Sequence, residues 1–181
     1  MSESVGLADR AAADVNIYIC AIILAGGAIL QASLAPHMAI IGVKPNFVLP
    51  LVVAWSVVRG SSEGVVWGFV GGLLLDLLSG GPVGISALTL TLVGFATNLG
   101  ENAVFKSSLV LPLLTVFVAS LFNDAGQILL LQALGWQLDW TRAMAQVALP
   151  TAILNAVVMP FVYVPLHWLS RRTAGEGQLQ W

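Results

Sequence analysis

The sequence predicts an all-α, polytopic integral membrane protein, built as one domain of six transmembrane helices. Three observations carry that expectation. Of 181 residues, 58% are hydrophobic and only 9% charged, against about 25% charged in an ordinary soluble domain. A single soluble core of this size cannot hide so much apolar side chain. The apolar residues also fall into six blocks, roughly 17–35, 47–58, 65–78, 83–99, 109–134 and 143–169. Finally, the third block carries a glycine ladder, Gly64, Gly68 and Gly72, that ends on an acid, Asp76.

At a rise of ~1.5 Å per residue, the first and fourth blocks approach the ~30 Å hydrocarbon core of a bilayer, and the last two exceed it. Ser33-Leu34-Ala35 closes the first block like a signal-peptide cleavage site, but Pro36 follows it, so an uncleaved helix is expected. Cys20 is the single cysteine, which excludes an internal disulfide and reads as a small buried hydrophobe. The second block is too short to span unaided. It is either a tilted span completed by its flanks or a re-entrant segment, with Pro50 tolerated in its first turn. Domain boundaries follow: a cytoplasmic N-terminal segment 1–16, the transmembrane domain 17–169 and a short cytoplasmic tail 170–181.

In the third block, residues four apart lie along one helical stripe. Small residues there let a neighbouring helix approach backbone to backbone, as membrane helices pack. An acid at the end of that stripe is costly in lipid and is expected to face protein. Gly80, Pro82 and Gly84 then mark a tight loop before the fourth block, and Asp76 is expected to cap or position it. In the last two blocks Pro112, Pro150, Pro160 and Pro165 each remove a backbone donor, with Met159-Pro160 the best site for a kink.

Basic residues set the orientation. With six spans, Arg10, Arg59, Lys106, Arg171 and Arg172 share one side, and Lys44 and Arg142 the other. Both termini are then cytoplasmic and the Gly80–Gly84 loop lies outside. Trp136 and Trp140 bracket an outer loop, while Tyr163 and Trp168 approach the inner end of the last helix, at depths where aromatic rings anchor a bilayer interface.

Polar residues within the spans are few. Asn123, Asp124 and Gln127 on the fifth block and Asn155 on the sixth lie at similar depth. Two readings are open: an outward-facing polar cluster, or hydrogen bonds between helices that fix their packing. Catalysis has no foothold, since no nucleophile elbow, phosphate loop or zinc-binding His-Glu pair occurs. His37 and His167 belong to opposite ends of the bilayer, so no metal site or cofactor is expected. With no basic patch, nucleic acid is not an expected partner.

Lys44-Pro45-Asn46-Phe47, and Gly68-x-x-x-Gly72-Leu-x-x-Asp76 continuing to Gly84, carry a resemblance to the MreD family of rod-shape membrane proteins. Asn46 stands where the family often has an acid. The resemblance implies a non-enzymatic scaffold of the bacterial cell-elongation complex in the cytoplasmic membrane. It implies direct binding of MreC, support of peptidoglycan synthesis by RodA and its penicillin-binding transpeptidase, and indirect coupling to MreB. It also implies a six-helix fold like the substrate-binding subunits of energy-coupling-factor vitamin transporters. A substrate-capture subunit of such a transporter is therefore the alternative. On the scaffold reading, Gly64, Gly68, Gly72, Asp76, Gly80, Pro82 and Gly84 form a helix-packing or partner interface.

Overall fold

The computed structural model describes residues 18, 21–33, 46–59, 61–99 and 110–173. Segment 1–16, Cys20, Pro36, His37, Lys44, Pro45, Lys106 and residues 174–181 lie outside the described residues. Within them the chain is helical and contains no strand. Six helices follow in order: α1 Ala21–Ser33, α2 Val48–Arg59, α3 Ser61–Ser79, α4 Ile85–Leu99, α5 Val110–Ala133, and α6, residues 140–173.

Five of these helices surround the sixth. The side chains of Val48, Leu49, Val52, Val53, Ala54 and Ser56 on α2 are all fully buried, and α2 packs against α3, α4, α5 and α6. With 12 residues it is only about 18 Å long. A helix enclosed by protein can be that short, because its sides meet other helices rather than lipid. That is the physical reason for the brevity of the second apolar block.

The surrounding helices are apolar on the outside instead. Leu88, Leu92 and Phe95 on α4, Leu114, Val118 and Phe122 on α5, and Ile153, Val157 and Phe161 on α6 are exposed at helical spacing. The interior meanwhile holds Ser56, Asp76, Ser120, Asn123 and Asn155. Continuous apolar outer faces of this extent suit acyl chains rather than water. Two segments, Pro112–Ala133 and Trp140–Leu166, are long and apolar enough to cross a membrane by themselves.

Two element bounds differ from the apolar blocks. Helix α3 begins at Ser61, four residues before its apolar run, with Glu63 in its first turn. Helix α6 begins at Trp140, where Asp139 accepts from the amides of Thr141 and Arg142. Polar first turns hide a helix start from an apolar pattern. Helix α6 also contains a wide π turn at Met144–Ala148. That turn precedes Pro150, whose ring would crowd the carbonyl four residues back. The helix runs on through Pro160 and Pro165.

Candidate functional site

The glycine ladder is occupied by the chain's own helices. A Cβ at Gly68 would overlap the backbone carbonyl of Leu90, and one at Gly72 would overlap the backbone at Ser86 and Ala87. Both neighbours are on α4. Gly94 of α4 returns the contact, since a Cβ there would overlap the carbonyl of Gly64. Gly64 also faces Ser56 of α2. Helices α3 and α4 thus meet backbone to backbone, and α2 closes against the same end. The stripe anticipated Gly64, Gly68 and Gly72 but not Gly94, which sits alone in its helix.

Asp76 completes this hairpin. It is 3% exposed, and its Oδ2 accepts from the amides of Gly84 at 2.7 Å and Ala87 at 3.1 Å, while Oδ1 accepts from Ser86 at 3.0 Å. These are donors of the first turn of α4 and of the residue before it, which have no partner within their own helix. A carboxylate here meets both unpaired N–H groups and the positive end of the helix. The loop between them needs glycine at two points: Gly80 has φ 66° and Gly84 has φ 104°, conformations that side chains resist. Val83 at its tip is 66% exposed. Asp76 therefore holds the loop in place.

A second polar group fixes the start of α2. Asn46 Oδ1 accepts from the amide of Leu49 at 3.1 Å, an N-cap. Gln31 of α1 accepts at Oε1 from the amides of Phe47 and Val48, at 3.0 and 3.2 Å. The amide of Asn46 itself donates to Asn155 Oδ1 of α6 at 3.2 Å, and Asn155 Nδ2 donates to Ser120 Oγ of α5 at 2.9 Å. Four side chains from α1, α5, α6 and the entry to α2 so satisfy one helix end. An aspartate at position 46 would present the same acceptor oxygen.

The expected cluster of Asn123, Asp124, Gln127 and Asn155 is therefore divided. Asn155 bonds to Ser120 and Asn46. Asn123 Nδ2 donates to Asp124 Oδ1 at 3.1 Å, and Gln127, half-buried one turn further along, joins neither set. Gln31 and Ser120 were missed by the sequence reading, although a polar residue inside an apolar block is signal enough. Between α4 and α5 an open apolar groove of about 330 Å³ is lined by Val93, Ala96, Leu114, Val118, Ala119 and Phe122.

Among the described residues no group of three His, Cys, Asp or Glu side chains is arranged to hold a metal ion. Asp76, Asn46 and Asn155 serve helix ends and helix contacts. Taken with the apolar exterior, this defines a helical membrane protein with polar side chains committed to its helix ends. No solved structure matches the chain. The family model for rod shape-determining protein MreD matches residues 13–173, nearly the whole length, and the chain belongs to that family. Its role accordingly lies in rod-shape determination.

Proposed function

We propose that this protein is a non-enzymatic scaffold of the cell-elongation complex in the bacterial cytoplasmic membrane. It crosses the membrane six times, with both termini in the cytoplasm. It binds MreC directly and supports side-wall peptidoglycan synthesis by RodA and its penicillin-binding transpeptidase, with MreB engaged indirectly. The observation that carries this reading is membership of the rod shape-determining family over residues 13–173. The inward use of Asp76, Asn46 and Asn155 supports it, because each is committed to holding a helix end.

The interface reading narrows to one end of the glycine segment. With α4 seated on Gly68 and Gly72, the ladder is closed to a partner helix. The Gly80–Gly84 loop, with Pro82 half-buried and Val83 outward, is the open part, and we assign it to MreC on the outer face. Purification of the tagged protein in mild detergent, with mass spectrometry of proteins and small molecules together, tests the scaffold. Recovery of MreC with the wall-synthesis enzymes is the expected result. A bound small molecule with an ATP-driven transport module would replace the scaffold by a substrate-capture subunit. A photo-crosslinker at Val83 is expected to join MreC. If crosslinks form only from other positions of a folded protein, the loop assignment falls.

A further inference from the structure

One pair of side chains inside the bundle has acceptors to spare. Asn123 is 0% exposed, and its Oδ1 and the Oδ2 of Asp124 are buried without a hydrogen-bond partner among the described residues. An amide oxygen and a carboxylate oxygen can only accept. The same two side chains already share one hydrogen bond, from Asn123 Nδ2 to Asp124 Oδ1. Each of the two remaining oxygens lacks a hydrogen to accept.

No described cationic side chain supplies it. Neither Val48–Val57 of α2 nor Ile85–Thr97 of α4, the helices that pack on α5 beside α6, contains an acid, lysine, arginine or histidine. Of the described side chains of α6, Tyr163 lies toward the far end, and Arg142 is exposed at the start of the helix, 3.4 Å from Asp139. A metal ion fits poorly as well, because hard cations take more oxygen ligands than two side chains offer. Leaving both oxygens bare, with a full charge on one of them, is the costliest arrangement in a low-dielectric interior.

We propose that the Asn123–Asp124 pair is a proton-binding site: Asp124 carries one hydrogen on Oδ2 and donates it to Asn123 Oδ1. Acid and amide then pair through two opposed hydrogen bonds, N–H to carbonyl oxygen and O–H to amide oxygen. One proton taken from solvent neutralises one carboxylate, and no other bond changes. The site places an uncharged acid in the fifth helix and satisfies every polar atom of both side chains that is now left over.

Infrared spectroscopy of the full chain in lipid, in neutral buffer, reads this directly. A protonated carboxyl has a C=O stretch above the amide region, shifted downward in heavy water. The expected result is such a band in the wild type and its loss in Asp124→Asn. The carboxamide of that variant offers an N–H where the acid offers an O–H. Its thermal midpoint in detergent should therefore equal that of the wild type. Absence of the band in the wild type, its survival in the variant, failure of the variant to fold, or carboxylate bands that move on adding sodium would each overturn the proposal.

Discussion

Asp76 and Asp124 are both acids in apolar helices, and they are held in opposite ways. Asp76 sits opposite the start of a helix and receives three backbone amides. Asp124 lies in mid-helix and receives one side-chain donor, its sequence neighbour Asn123. The first is stabilised as an acceptor of hydrogen bonds from an adjoining helix end. The second has no such end nearby. The same contrast runs through the packing around them. Helices α3 and α4 touch through backbone at Gly68, Gly72 and Gly94, whereas Gly126 of α5 meets α4 through the methyl of Thr89, 3.1 Å from where a Cβ would stand. One half of the molecule is fixed by backbone, the other by side chains. Position, not residue type, decides what a buried acid does.

Three substitutions break or sharpen that contrast. The largest effect is expected from Gly72→Leu, because the atoms in its way belong to the backbone of α4 and cannot turn aside. Overpacking of that kind costs ~3 kcal/mol or more, so folded protein should be lost from detergent extracts on size-exclusion chromatography. A normal yield of monodisperse protein would show that α3 and α4 can separate. Next comes Asp76→Ala, which strands the amides of Gly84, Ser86 and Ala87. Loss of a cap together with unsatisfied buried donors should cost about 2–4 kcal/mol. It should appear as a lowered thermal midpoint and faster amide hydrogen exchange confined to the start of α4. Smaller again is Asn155→Leu, expected at about 1–3 kcal/mol, since it frees only Ser120 Oγ and the amide of Asn46. Exchange should then quicken at the start of α2 and leave α4 unchanged. Equal exchange at both sites would erase the distinction between the two halves.

How much of this was legible in the residues depends on sequence distance. Asp76 and the loop it holds lie within a dozen residues, and glycines four apart announce a close helix contact, so that half could be read directly. The partner of the ladder could not, because Gly94 shows no periodicity of its own. Asn46 belongs to a motif, yet its role depends on Gln31 and on Asn155, which lies 109 positions later. Similar depth placed Asn155 with Asn123 and Asp124, but it bonds Ser120, one turn away from them on the same face of α5, and a single turn lies below what apolar block limits can resolve. The starts of α3 and α6 were hidden for a local reason, since Glu63 and Arg142 interrupt the apolar pattern in turns that are nonetheless helical.

The bond between Asn46 and Asn155 also has a temporal meaning. As the chain emerges from the ribosome, α2 is made early, with Gln31 and Asn46 already present to accept from its first amides, but the acceptor for the amide of Asn46 itself arrives only with the last helix. Until then the amide that leads into the short helix waits for its partner. A chain stopped before Asn155 is thus expected to reach the membrane with its central helix unfinished and to be degraded there.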